Sequence, residues 1–379
     1  MNSSDWIDTG TACALLGVKP QTLYAYVSRK LVRAQADAAD ARRSLYARAD
    51  VETLLQQNHR PRARAEVAEQ AIRWGDPVLV TAISEVREGM LWLRGRPVDD
   101  CANTLTLEDM AALLWNTETV ACPAIDIAST LPDPIGRALE FLAQTVTGAS
   151  PMQQLTPEEI AREGGRLMSG VTNALLGRNA TGPIHLRLGR AWAQEPQGCD
   201  DLRRALVLLS DHELNPSTFA VRISASTGTS LPAALLSGLA TLSGPRHGGV
   251  ASVARAALQA ALDGNQQAFL TEHADRSPYG FGFGHPLYPA GDPRARHILD
   301  RLAPDTPPAV ALRTLSRRFG LSPNIDAALA TMSMVYGLPD EAAFTIFAVG
   351  RLAGWIAHAI EQVESGEIIR PRARYRERS

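Results

Sequence analysis

Only two lysines occur in the 379 residues, Lys19 and Lys30, and both stand near the N-terminus. The long remainder therefore offers no amine for a Schiff base and no lysine of the kind that holds nucleotide phosphates. Pyridoxal chemistry and P-loop hydrolysis are set aside there. Anion recognition in that stretch falls to arginine, histidine and backbone amides. Cysteine is sparse as well: Cys13, Cys101, Cys122 and Cys199 are scattered and make no Cys-x-x-Cys pair. That spacing offers neither a disulfide framework nor a zinc site, and it fits a reducing cytoplasm. The opening Met-Asn-Ser-Ser-Asp-Trp lacks a basic segment leading into an apolar run, so no secretion signal is read. No uninterrupted apolar stretch reaches membrane-spanning length. The net charge of −2 carries no overall bias towards nucleic acid or membrane, and a 45% hydrophobic chain of this length can build two or three domains around a large core. A cytoplasmic protein without a membrane partner is expected.

What is present in abundance is glycine around histidine. Two frames stand out, Gly244-Pro-Arg-His247-Gly-Gly and Gly282-Phe-Gly-His285-Pro-Leu-Tyr288. Glycine weakens a helix by roughly 1 kcal/mol relative to alanine, so such clusters need another reason. Close approach of backbone to a ligand, or a sharp turn that aims one side chain, would supply it. Asp326, in Leu-Ser-Pro-Asn-Ile-Asp, is a third candidate. Two imidazoles and a carboxylate without metal-ligand spacing point to acid/base work on a small carbon acid.

Residues 1–56 read as a small separate unit. A helix is expected over Thr9–Val18, a turn at Gly17, and a second helix over Pro20–Ser28 with proline near its first position. Ala12, Leu15, Leu16, Val18, Leu23 and Val27 can share one core. Arg42, Arg43 and Arg48 precede a third helix beginning near Ala49. This pattern resembles the MerR-type and excisionase-type winged helix-turn-helix. Through Ala65 there are ten basic residues against six acidic. The resemblance implies DNA as a partner, with Gln21, Thr22 and Tyr24 near the major groove and Lys19, Arg29, Arg42 and Arg43 on phosphates. A docking cap with a solvated basic face would look similar.

Residues 57–65 are polar, basic and proline-containing, as a linker would be. Two strands of a hairpin are expected over residues 77–83 and 89–94. From Leu107 onward the apolar spacing is mostly helical, with capping arrangements at Thr106-Leu-Glu-Asp109 and Thr156-Pro-Glu-Glu159. The fold class expected is all-α.

Six segments then follow in a fixed order: His212-Glu-Leu-Asn-Pro-Ser-Thr, the His247 frame, the His285 frame running on to Asp292-Pro-Arg294, Pro323-Asn-Ile-Asp326, Gly350-Arg351-Leu-Ala-Gly-Trp, and Ile369-Arg370-Pro-Arg372. Together they resemble citrate synthase across essentially everything after the linker. The resemblance implies a large helical domain (66–249 and 336–379) and a small one (250–335) closing over a cleft, in a homodimer. It implies condensation of acetyl-CoA with oxaloacetate to citrate and CoA, with acetyl-CoA as a substrate and neither metal nor resident cofactor. Propionyl-CoA, giving 2-methylcitrate, is the alternative substrate, and a metabolite-sensing regulator is the alternative class. By position, His247, His285 and Asp326 match the family's catalytic triad. His212, Arg294, Arg351 and Arg370 match its oxaloacetate-binding residues, Arg370 reaching the partner subunit's site.

The chemistry suits these residue types. A thioester methyl group is a very weak acid, so Asp326 as base needs His247 to stabilise the developing enolate oxygen. A helix starting just after Gly249 would help keep His247 neutral. His285 would polarise the ketone, and planar arginine forks suit a dicarboxylate. Plainer uses exist too: Asp326 as a helix N-cap, Arg294 in a surface ion pair, Arg370 in a solvated basic tail. His59, His185, His273, His297 and His358 lack such frames and are assigned no chemistry. Two departures from the family pattern stand out, Pro286-Leu-Tyr288-Pro289 where Val-Tyr-Lys is common and Val250-Ala251 where Ala-Asn is common.

Overall fold

The computed structural model describes residues 6–16, 18–29, 31–37, 40, 43–51, 79–371 and 375. Gly17, Arg42, His59, the linker 57–65 and the third helix beyond Val51 lie outside the described residues. Those described fall into two units, one before Thr81 together with Tyr375, the other Thr81–Pro371.

The first unit comprises β1 (Trp6–Asp8), α1 (Thr9–Leu16), α2 (Pro20–Ser28), β2 (Ala34–Ala36) and β3 (Ser44–Ala47), with residues 48–51 again helical. Its three short strands form an antiparallel sheet in the order β1-β3-β2, Ile7 facing Tyr46 and Gln35 facing Leu45. Asp8 starts α1 by accepting the Thr11 backbone N–H at 2.9 Å, and Pro20 stands at the first position of α2. Ile7, Ala12, Leu16, Leu23, Val32, Tyr46 and Val51 make the core. Leu15 does not join it and is 36% exposed. Ala12 and Leu16, four residues apart, hold the inward stripe of α1, and Leu15 falls on its flank.

The second unit opens with an antiparallel meander, β4 (Ser84–Arg87), β5 (Met90–Leu93) and β6 (Arg96–Pro97). The first strand was expected over 77–83, yet residues 79–83 are not strand. Glu88 and Gly89, with φ of 54° and 73°, make a two-residue turn that pairs Arg87 with Met90. Such a turn sets the register and ends the pairing at Ser84.

Helices follow: α3 (Val98–Thr104), α4 (Leu107–Trp115), α5 (Pro134–Val146), α6 (Pro157–Leu176), α7 (Ile184–Ala191), α8 (Pro196–Leu208) and α9 (Pro216–Ser226). Then come α10 (Leu231–Leu242), α11 (Val250–Leu262), α12 (Gln266–Glu272), α13 (Pro293–Leu299), α14 (Pro307–Phe319), α15 (Ile325–Val335) and α16 (Ala342–Ser365). Both expected capping boxes are formed, Thr106 with Asp109 and Thr156 with Glu159. Each such cap is worth about 1 kcal/mol. The helix α16 is long and apolar enough by composition to cross a membrane, but 94% of its most apolar window is buried inside the protein. Helices apolar on every side belong to the middle of a large core, and α16 packs against α4, α6, α8, α9 and α10. A second, smaller apolar cluster includes Leu258, Phe281, Phe283, Leu312, Leu315 and Ala330, all between residues 250 and 335.

Candidate active site

Four stretches of the second unit bring the polar candidates together. The first runs from the end of α8 to α9 and carries His212. The second is the turn between α10 and α11, which carries His247. The third joins the segment before α13 to the start of α15, and the fourth is the middle of α16.

In the His247 turn, Gly248 donates to the Leu242 carbonyl at 2.9 Å, and a Cβ there would collide with that carbonyl and with the Phe344 ring. Glycine is required here for close packing within the protein, which leaves the imidazole aimed by its neighbours. Nε2 of His247 lies 2.9 Å from the Ser217 hydroxyl, and that hydroxyl lies 2.7 Å from Oδ1 of Asn215. The Phe347 ring meets the imidazole edge-on at 5.9 Å between centroids.

The His285 loop is stitched to the approach to α15. Gly284 donates to the Ser322 carbonyl at 2.8 Å, Asn324 donates its N–H to Gly282 at 2.8 Å, and its side-chain amide donates to Gly284 at 3.1 Å. Gly282 has φ of 86° and sits where a Cβ would strike Ala327. The two sequence motifs containing His285 and Asp326 are therefore one local structure. Nδ1 of His285 accepts the Leu287 N–H at 3.2 Å. In a neutral imidazole this leaves Nε2 as the N–H donor.

Asp292 caps α13 and accepts from Arg294 through both carboxylate oxygens, at 3.0 and 2.8 Å. The pair is buried, so the surface ion pair considered for Arg294 is not what forms. The Arg294 guanidinium lies over the Tyr288 ring at 5.5 Å. Tyr288 in turn places its hydroxyl 2.9 Å from Nε2 of His212, whose ring stands 5.2 Å from that of His285. Asp326 is not the N-cap of α15: Asn324 is, accepting the Asp326 N–H at 3.0 Å. The Asp326 carboxyl is buried, and among the described residues its Oδ1 has no hydrogen-bond partner. Arg351 donates from Nε to the Leu209 carbonyl at 2.8 Å and lies over Phe347 at 5.0 Å.

Burial governs the electrostatics. It pushes the Asp326 carboxyl up to about 7 although Arg294 and Arg351 pull it down. It drives His247 down to about 4, helped by Arg351, and His285 down to about 4, helped by Arg294. His212 falls well below its ordinary value for the same reason, with Arg294, His285 and Arg351 adding to the effect. All three imidazoles are neutral at physiological pH. The helix α11 begins at Val250, and burial and the charge of Arg351 hold His247 uncharged. Burial lowers Arg351 to about 10, which leaves it protonated.

His212, His247, His285, Arg294, Asp326 and Arg351 are thus gathered by shared neighbours and mutual fields. Arg370 is exposed beyond α16 and is not among them. Ser217, Tyr288, Asp292 and Asn324 were not singled out from sequence. Asp-Pro and Asn-Pro before Arg294 and Ser217 are helix-start signals that could have marked two of these neighbourhoods. His358, to which the sequence assigns no chemistry, is buried against Asp211. No three His, Cys, Asp or Glu side chains among the described residues converge as a metal ion would need. In the first unit, Lys19, Gln21, Thr22, Tyr24, Arg29 and Arg43 are all exposed.

Residues 178–372 match the model of the citrate synthase C-terminal domain. A citrate synthase of Haloferax volcanii is 38% identical over 183 residues, a match that spans 45% of this chain and 48% of that protein, about half of either. A 2-methylcitrate synthase of Mycobacterium tuberculosis is 27% identical over 350 residues, 79% of this chain and 88% of that protein. Among solved structures, the ternary complex of carboxymethyl coenzyme A and oxaloacetate with citrate synthase from Thermoplasma acidophilum aligns with a TM-score of 0.66. The identity is 23%, over 80% of this chain and 94% of that one.

Proposed function

The chain belongs to the citrate synthase family, and as a citrate synthase-type acyltransferase we propose that it condenses acetyl-CoA with oxaloacetate and hydrolyses the product to citrate and CoA. The observation that carries this reading is a buried carboxyl at about 7 set among imidazoles held neutral. A base that ionises near neutrality and uncharged donors are what abstraction from a weak carbon acid requires.

On this reading Asp326 takes a proton from the thioester methyl group, and the electron pair passes to the carbonyl oxygen. Nε2 of His247 is taken by Ser217, so Nδ1 is the nitrogen left for that oxygen. In the structure the Ser217 hydroxyl donates to Oδ1 of Asn215, so for neutral His247 to donate from Nδ1 that one proton turns to Nε2 when the thioester binds. The enolate carbon then attacks the ketone carbon of oxaloacetate. The ketone oxygen gains its negative charge beside the Nε2–H of His285, which protonates it and recovers a proton from the water that goes on to attack the thioester, while protonated Asp326 gives its proton to the leaving CoA sulfur. Water finally cleaves the citryl thioester and releases CoA. His212, Arg294 and Arg351 bind the two carboxylates, and Arg370 completes the site of a partner subunit in a cytoplasmic homodimer. Residues 250–335, with their own apolar cluster, form the small domain that closes on the substrates, the rest after the linker being the large one. The reaction uses no metal and no resident cofactor. Release of CoA from acetyl-CoA in the presence of oxaloacetate tests this, Asp326→Ala serving as the blank.

Relatives named for citrate and for 2-methylcitrate synthesis both match, so propionyl-CoA belongs in the same assay. A second role is supported by the first unit. Two short helices joined by three residues, a β2–β3 hairpin and the exposed Lys19, Gln21, Thr22, Tyr24, Arg29 and Arg43 fit a winged helix-turn-helix on DNA, with Arg42 beside them in sequence. Such binding weakens steeply with salt. Absence of any preference for a DNA site over competitor DNA at moderate salt removes this second role and leaves the enzyme reading intact.

A further inference from the structure

Behind His212 and Arg351 lies a buried row of polar side chains with no part in the steps above. Asp211, the residue before His212, is fully buried. Its carboxylate accepts the Ser84 hydroxyl and lies 3.3 Å from Nε2 of His358, which is also fully buried. Nδ1 of His358 is 3.5 Å from the Arg222 guanidinium, and Arg222 pairs with Glu361 at 2.6 Å. Burying a carboxylate without compensation costs several kcal/mol, so a row of this kind needs a use or a counter-charge.

The backbone is shaped to bring Asp211 there. Gly354 of α16 donates to the Ser210 carbonyl at 2.8 Å, and a Cβ on Gly354 would collide with that carbonyl and with the Asp211 carboxylate. Only glycine lets the 210–211 segment lie flush on the helix. One turn earlier on α16, Arg351 bonds the Leu209 carbonyl, so the same segment also anchors the arginine. From the other side, β4 grips the residue after His212. Glu213 donates its N–H to the Ser84 hydroxyl at 3.1 Å, and its carboxylate accepts the Val86 N–H at 2.8 Å. Glu213 is held at φ of 48°, a left-handed conformation that a non-glycine residue adopts only under constraint. His212 therefore sits between two pinned neighbours. Arg351 has a main-chain carbonyl and no bonded carboxylate among the described residues, and Asp211 is the strongest of the negative charges acting on it.

We infer that Asp211 and His358 are positioning residues for the 2-oxo diacid: Asp211 fixes the His212 backbone and balances Arg351, and His358 locks Asp211 in place. The inference rests on the reading of the site given above.

It is tested by calorimetric titration of the full chain with oxaloacetate, together with KM for each substrate. Asp211→Asn and His358→Leu are expected to weaken oxaloacetate binding about tenfold or more, the loss of one buried hydrogen bond or charge partner. The KM for the thioester is expected to stay within about twofold, since the bonds of Asp211 and His358 run to Ser84, to Arg222 and to each other rather than to His247 or Asp326. His358→Gln, which can still donate to Asp211, restores binding to within about threefold of the parent. Ser84→Ala is the mild variant and carries the test if Asp211→Asn does not fold, with an expected loss of about threefold. Unchanged oxaloacetate binding in the folded variants, parallel loss of both KM values, or no rescue by glutamine overturns the inference. A parent protein that binds no oxaloacetate removes the reading of the site and this inference with it. A parent that binds beside unaffected variants contradicts this inference alone.

Discussion

The Asp292 carboxylate holds the Arg294 guanidinium at two points, 3.0 Å to Nε and 2.8 Å to Nη2, and with its second oxygen also accepts the Ile325 N–H at 3.1 Å. One buried carboxylate thereby ties the helix that carries Arg294 to the helix that carries Asp326. Replacing Asp292 with alanine leaves a buried arginine unpaired and opens both helix starts. The expected destabilisation is about 3–5 kcal/mol, read from the denaturant midpoint. A loss below about 1 kcal/mol would mean that the pair is solvated in solution and does not organise the site.

Asp326 is a group whose burial works against the fold. Its pKa in the folded protein, about 7, stands above the ordinary carboxyl value, so the charged form is disfavoured by folding. The linkage sign follows: stability falls as pH rises from the unfolded pKa towards 7, and the full loss is present above it. Asp326→Asn removes that loss. At pH 8 the variant is expected to melt higher than the parent while turnover drops about 10²–10⁴-fold. A lower melting temperature at pH 8 would contradict the burial argument.

The same pKa sets the acid limb of the rate. The base must be ionised, so kcat/KM is expected to fall about tenfold per pH unit below about 7 and to level off above it. His247 and His285 remain neutral down to about 4 and add no second limb in between. A profile flat from pH 5 to 8 would exclude Asp326 as the titrating base.

Ser217 governs which nitrogen of His247 carries the proton. Ser217→Ala removes the hydroxyl bonded to Nε2 and frees the tautomer. Turnover is expected to fall about 10–100-fold, less than for outright loss of an enolate donor, with oxaloacetate binding unchanged. An equal fall in oxaloacetate affinity would assign Ser217 to the diacid pocket instead.

Much of this site could be read in the chain because its parts are local motifs. Glycine frames mark His247 and His285, and an arginine inside an apolar helix marks Arg351, whereas His212 and Arg294 are placed by the resemblance of their segments to a known family. The partners that orient them carry no such mark. Asp211 meets His358 across 147 residues, and Ser84 meets Asp211 across 127, so no spacing rule could pair them. Glu88-Gly89 lacks the usual Asn-Gly or Asp-Gly of a two-residue turn, and the first strand was accordingly set several residues early. Leu15 illustrates the smaller error of counting every apolar residue of a short helix as core.

The most direct test of the account is CoA release from acetyl-CoA with oxaloacetate, parent against Asp326→Ala, with propionyl-CoA in a parallel arm. Oxaloacetate-dependent release by the parent is expected, at least about a hundredfold above the variant. Release that is absent with both thioesters, or equal in parent and variant, would contradict it.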